Sequence, residues 1–210
     1  MREFLDPFDA TLNCPSRELT IKGLMSSDIK SLIKDMRLIA SGERDEDHPN
    51  RPTLVGLSSP QLGELVRVIL VDIAADPSVP NFTPNLKLFI NPRITDSSAK
   101  ESLMREGCYS TGEICGAVMR PEVVEVVALD EKGIEFKYKS SNIFQSHIIQ
   151  HEIDHLDGIR FPSRIRNQKH LHLVEPDDFQ DYRENWSNWS KLYPFEKWLL
   201  MYEGGDYANI

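Results

Sequence analysis

SSNIFQSHIIQHEIDHLDG, residues 140–158, is the stretch whose reading decides the fold. Ser140 or Ser141 offers an N-cap, and Gly158 stands where helices commonly end in the left-handed conformation. The spacing predicts a helix that runs to Asp157. At about 100° per residue, Phe144, His147, Ile148, His151 and His155 share one face, while Ile149, Ile153 and Leu156 line another. Ser146, Gln150, Asp154 and Asp157 remain for solvent. A helix so nearly apolar all round is expected to be buried against sheet on more than one side, at the centre of the fold.

The flanking sequence supplies the sheet. Ile29, Leu32, Ile33, Met36 and Ile39 recur at three- and four-residue steps, so residues 27–41 read as an amphipathic helix with Ser26 or Ser27 as N-cap. GERDEDHPNRP, residues 42–52, combines glycine, two prolines and mixed charge and reads as a solvated loop. Residues 54–63 read as a short strand running into small residues, and 67–73 and 86–94 as further strands of β-branched character, joined by the Pro- and Asn-rich 76–85. Residues 122–129 and 134–138 flank Asp130-Glu131-Lys132-Gly133, a turn with glycine available for the left-handed position, which makes an antiparallel hairpin. The expected class is α+β, with antiparallel or mixed sheets packed around the central helix, an N-terminal helix and a C-terminal extension. A catalytic domain over residues 1–165 is followed by an extension over 166–210, where an acidic stretch precedes Trp186, Trp189, Tyr193, Phe195, Trp198 and Tyr202. Core packing is the favoured role for these aromatics over a self-association surface.

Composition bounds the function. The chain has 210 residues, long enough to bury a core without staples. Its 24 basic and 33 acidic residues give a formal charge of −9, which repels phosphate backbones and argues against direct nucleic-acid binding. Three cysteines are too few, and odd in number, for a disulfide framework, and no apolar run approaches a membrane span. With no h-region near Met1, the cytoplasm is the expected location.

His151-Glu152-Ile153-Asp154-His155 is H-E-x-x-H: two imidazoles one helical turn apart converge on one ion, with Glu152 beside them. Two buried histidines bonded to backbone carbonyls would give the same pattern. A catalytic site of the zinc type needs a third protein ligand and an open position. His170 and His172 lie at no familiar spacing. His147 and His155 are two turns, ~11 Å, apart, so His147 reads as a pocket wall. Cys108 is the stronger candidate, because Glu106-Gly107-Cys108-Tyr109-Ser110 is a polar, Gly-containing break able to turn a thiolate towards the helix. Cys14 and Cys115 read as small hydrophobes.

EGCYS from Glu106, QHEIDHLDG from Gln150 and GLSSPQLG from Gly56 stand in the same order and at similar separations as the three signature motifs of peptide deformylases. From about Leu54 to Phe161 the chain resembles that family. The resemblance implies Cys108, His151 and His155 as metal ligands, Glu152 as the catalytic acid/base, Gln61 and the Tyr109 N–H as oxyanion donors, and Gly56 as a backbone contact to substrate. It implies Fe(II), with Zn, Ni or Co able to satisfy the same donors. It further implies an amidohydrolase that removes formyl groups from N-terminal formyl-methionine of nascent chains near the ribosome exit. Phe144, His147 and Ile148 beside the ligands suit a slot for the methionine side chain.

The chain departs from the common motifs at Leu54, at Ser58-Ser59-Pro60, at Tyr109 and at His147. Tyr109 contributes through its backbone, and its ring reads as a packing aromatic. Glu106 and Asp154 are candidates to orient the ligand imidazoles. Two rival readings are a zincin-like peptidase with a different third ligand, and an inactive metal-bound module that holds a partner with its tail aromatics. Sequence does not set the oligomeric state.

Overall fold

The computed structural model describes residues 2–44, 49, 52–77 and 84–203. Parts of the two connections expected as loops, residues 45–48, 50–51 and 78–83, lie outside the described residues.

The amphipathic segment after Ser26 is a helix, as its spacing requires. A short helix α1 (Ile21–Leu24) precedes α2 (Ser27–Ala40), whose first turn is capped by the Ser26 hydroxyl accepting from the Ile29 N–H. The buried stripe of α2 is Ile29, Leu32, Ile33, Met36 and Ile39, which packs on Leu57, Val68, Leu70, Leu88 and Ile90.

Those partners come from a five-stranded sheet with order β1-β2-β3-β6-β7: β1 (Gly56–Ser58), β2 (Val68–Asp72), β3 (Leu86–Ser97), β6 (Val124–Leu129) and β7 (Glu135–Lys139). A second sheet holds β4 (Glu101–Gly107), β5 (Ile114–Pro121) and β8 (Leu171–Leu173) in the order β4-β5-β8. Every pairing between these strands is antiparallel, so the mixed alternative is not met. Parallel pairing among the described residues is confined to an isolated bridge, Arg17 with Val66. The strand expected over 54–63 is only three residues long. Pro60 has no N–H for a ladder, and Ser59–Leu62 turn as a 3-10 helix that ends on Gly63 at φ 81°.

The decisive stretch is helix α3 (Ile143–Leu156). Its N-cap is Asn142, accepting from the Gln145 N–H at 2.8 Å, and not Ser140 or Ser141. The Ser140 hydroxyl is engaged instead by the Val124 N–H at 3.1 Å. One face of α3, Ile148, Ile149, Ile153 and Leu156, joins Ile69, Val71, Phe89 and Val126 of the first sheet.

The polar stripe assigned to solvent is also buried. Ser146, Gln150 and Asp154 lie under the second sheet, with Ser146 and Gln150 donating to the Pro121 carbonyl at 2.8 and 3.1 Å. Asp157 alone of the four is exposed. The second sheet supplies polar partners from residues more than twenty positions away, which helical periodicity cannot register.

Beyond β8 the chain forms α4 (Phe179–Asn185) and α5 (Phe195–Glu203). Trp198 and Met201 of α5 are buried with Ile114, Val118, Phe161 and Leu171, and Tyr182 of α4 is buried beside Cys115 and Val174. Packing is the role of Trp198 and Tyr182, while Trp186 and Trp189 are packed only in part, at the edge of the Tyr182 cluster. No helix among the described residues is long and apolar enough to cross a membrane.

Gly158 ends α3 at φ 70°, and a Cβ there would stand 2.6 Å from the Asn13 carbonyl oxygen. Gly158→Ala is therefore expected to lower unfolding free energy by about 2 kcal/mol or more, read from the midpoint of urea denaturation.

Candidate metal centre

Three chain segments meet at one point of the fold. α3 presents His151 and His155, β4 ends at Gly107 so that Cys108 follows directly, and β1 with its 3-10 turn brings Gly56 and Gln61. The Cys108 Sγ and the nearest ring nitrogens of His151 and His155 lie within 4.8 Å of one another. His147, Cys14, Cys115, His170 and His172 are not in this group. Cys115 is buried, and burial pushes its thiol up to about 12. His172 is buried between the Tyr182 hydroxyl at 3.1 Å and the Lys169 carbonyl at 3.0 Å.

The donor set suits a metal ion. Burial works against a thiolate at Cys108, yet His155 and His151 beside it hold the thiol well below its ordinary range, so the thiol is poised to lose its proton. The Glu106 carboxylate accepts from His151 Nδ1 at 2.8 Å, which fixes the tautomer and leaves Nε2 able to bind an ion. Glu106 belongs to a chain of ion pairs, buried up to Asp154 and ending on the exposed Arg164: Arg120 Nε to Glu106 at 2.6 Å, Arg120 Nη1 to Asp154 at 2.7 Å, and Arg164 Nη2 to Asp154 at 2.6 Å. Burial raises the Glu106 carboxyl, but Arg120, His147 and His151 together hold it well below the carboxylate range. Asp154 binds arginines and does not orient an imidazole.

Glu152 lies beside the three donors, 4% exposed, and its Oε2 has no hydrogen-bond partner among the described residues. Burial lifts its pKa to about 7, with His151 and His155 pulling the other way. A carboxyl so placed can both take and return a proton near neutrality. Gly56 is what lets β1 approach it. A Cβ at Gly56 would run into the Glu152 carboxylate and stand 2.8 Å from Ile148 Cγ2.

Gln61 is oriented by Ser58. The Ser58 N–H and hydroxyl both donate to Gln61 Oε1, at 2.8 and 2.9 Å, which leaves the amide NH2 directed at Cys108 Sγ, 3.2 Å away. Tyr109 opens the 3-10 turn Tyr109–Thr111. Its ring is not buried: 49% exposed, it stacks on Phe4 at 4.7 Å between centroids. Of the residues expected to form a slot, Ile148 is buried against Gly56 and Phe144 is half-buried. His147 turns towards β4, with Nε2 3.1 Å from the Ser102 hydroxyl and Nδ1 3.4 Å from Glu106. Sequence reasoning missed Ser58, which orients Gln61, and Arg120, which pairs with Glu106. Arg120 follows the apolar run from Ile114 to Met119, a strand signal, but its strand partner is Ser102 and its reach to Glu106 depends on the register of β4 and β5, which the local pattern does not carry. A surface depression of about 680 Å³ borders a different face of α3, lined by Arg67, Arg164 and Arg166, but each is ion-paired and none of the three donors lines it.

An α+β domain that sets one thiol, two imidazoles and the Glu152 carboxyl around one point has the build of a single-metal site. The chain belongs to the polypeptide deformylase family, whose sequence profile matches residues 1–171. It is 41% identical to the peptide deformylase of Treponema pallidum (strain Nichols) over 115 residues, 55% of this chain. That match spans 65% of the Treponema protein's own length. It is 35% identical to the Chlorobaculum parvum peptide deformylase over 148 residues, 70% of this chain and 72% of that one. Among solved structures, a class I type b peptide deformylase from Acinetobacter baumannii bound to Met-Ala-Ser superposes with TM-score 0.66 at 29% identity, covering 79% of this chain and 98% of that one. A Synechococcus elongatus peptide deformylase in complex with actinonin gives 0.63 at 26%, covering 80% and 82%.

Glu106→Gln should weaken metal affinity about 10- to 100-fold with the fold intact, measured by competition against a chelator. Cys108→Ala should abolish stoichiometric binding.

Proposed function

We propose that this chain is a peptide deformylase that hydrolyses the formyl amide of N-terminal formyl-methionine on newly made polypeptides, releasing formate. The observation that carries the reading is the buried Glu152, unpartnered at Oε2 and adjacent to Cys108, His151 and His155. Those three residues would hold one divalent ion, Fe(II) by family resemblance, and the ion would supply Lewis acidity towards water and the formyl group.

The chain's own residues do the remaining work. Glu152 on α3 takes a proton from the attacking water and returns it to the amine nitrogen as the C–N bond breaks, which a pKa of about 7 permits in both directions. The Gln61 amide and the Tyr109 N–H donate to the oxygen on which charge develops, and Ser58 holds Gln61 in readiness before substrate arrives. Gly56 lets β1 pass close to Glu152, where its backbone contacts substrate. Phe144, His147 and Ile148 form the wall of the methionine slot, with Ile148 as its apolar floor. The Met-Ala-Ser held by the Acinetobacter protein is of the product's chemical class, which supports this substrate. Residues 1–165 form the catalytic domain and 166–210 an extension to it, whose described part sets Trp198 and Met201 against Ile114, Val118 and Phe161. The enzyme acts in the cytoplasm on nascent chains near the ribosome exit.

The direct test is anaerobic incubation of Fe(II)-loaded protein with formyl-Met-Ala-Ser and measurement of formate. Glu152→Ala is expected to keep its ion and lose turnover about 10²- to 10⁴-fold. Gly56→Ala should lose turnover as well, because the new methyl displaces Glu152. Full activity in Glu152→Ala would sink the assignment.

A further inference from the structure

Arg160 follows the end of α3 and is wholly buried. Its Nη1 donates to the Pro7 carbonyl at 2.6 Å and to the Ser110 carbonyl at 3.1 Å, and its Nη2 reaches the Met201 carbonyl at 3.5 Å. Each of the first two contacts lies on a segment that bears or adjoins a proposed oxyanion donor. Ser110 is next to Tyr109 in the turn after Cys108, a turn closed further by the Thr111 hydroxyl on the Cys108 carbonyl at 2.9 Å. Pro7 belongs to the N-terminal segment that runs along Gln61, where the Leu5 N–H donates to the Gln61 carbonyl at 2.9 Å. One guanidinium nitrogen, Nη1, thus ties both donor segments to a common point while Nη2 reaches α5, and a lysine, with one compact ammonium and no fork, cannot span all three carbonyls.

The guanidinium is held from behind by α5. Its Cζ lies 4.7 Å from the Trp198 ring centroid and 5.8 Å from that of Tyr202. α5 is itself anchored, by Asn13 Nδ2 on the Tyr202 carbonyl at 2.5 Å and by the Tyr202 hydroxyl on the Gly158 carbonyl at 3.2 Å. The family match ends at residue 171, whereas α5 spans Phe195–Glu203. This backing wall therefore comes from sequence that the family match does not cover.

We propose that Arg160 is a positioning residue for deformylation: it fixes the Gln61 and Tyr109 segments relative to each other, and α5 holds it in place. The proposal rests on the reading of Gln61 and the Tyr109 N–H as oxyanion donors. A group that acts through such donors should affect the chemical step and not substrate binding, and its effect should shrink when a donor is already gone.

The test is a double-mutant cycle on the full-length, metal-loaded protein with formyl-Met-Ala-Ser, using Arg160→Lys and Gln61→Ala, accompanied by metal analysis and amide hydrogen exchange of residues 109–112. Arg160→Lys should lower kcat about tenfold, with KM within about twofold and metal content unchanged. In the Gln61→Ala background its further loss should fall to about threefold or less. Amide exchange at 109–112 should quicken. Equal losses in the two backgrounds, a change confined to KM, or unaltered exchange would each overturn the proposal. If Arg160→Lys does not fold, Trp198→Phe, which keeps an aromatic wall but weakens the stack, goes through the same cycle under the same criteria. A wild-type chain that releases no formate, or a fully active Gln61→Ala, instead refutes the functional reading, and the proposal falls with it.

Discussion

The Glu106–Arg120–Asp154 ion-pair chain, buried where α3 meets the second sheet, is the constraint on which the site depends. Taking these charges out of water is costly, and the cost is offset only because each carboxylate meets the guanidinium at 2.6–2.7 Å. That geometry ties β4 and β5 to the helix. With it set, Glu106 can accept from His151, and Cys108, two residues past Glu106, arrives opposite His155. One network therefore joins the two layers and aims two of the three candidate metal donors.

The same enclosure separates the protonation behaviour of neighbouring groups. Cys108 and Glu152 are both acids in one buried pocket, yet they shift in opposite directions. The imidazoles contact the thiol closely enough to overcome its burial, whereas for Glu152 burial prevails. Groups driven apart in this way can divide ligation from proton transfer. The backbone takes part too. Gly56 lets β1 pass against the Glu152 carboxylate, and the Ser58–Gln61 pairing consumes the amide oxygen so that only its NH2 faces the thiol.

The C-terminal segment belongs to the same physical unit as the site. Phe161, which lies over His151 at 6.1 Å between ring centroids, is in the cluster that Trp198 and Met201 complete. Removing those side chains would leave Phe161, and through it His151 and Cys108, packed against a void, a condition that close-packed interiors resist.

Local pattern was legible wherever residues near in sequence share one element. The apolar spacing of α2, the turn before Ile134 and the approach of His151 to His155 along one helix all follow from the chain's own periodicity. Pattern failed where the deciding partner was distant. Nothing in residues 140–158 says that Ser146, Gln150 and Asp154 will lie beneath Pro121 and Arg120, or that Asn142 and not Ser140 will cap the helix because Val124 claims the serine hydroxyl. By itself the sequence determined the donor types, their helical spacing and the family that shares them. Only the tertiary structure decided that Cys108 stands within reach of two imidazoles, that Glu152 is buried, and that Arg160 ties both ends of the chain to the turn after Cys108. Those relations depend on desolvation and on contacts between residues far apart in the chain, which no reading along the sequence contains.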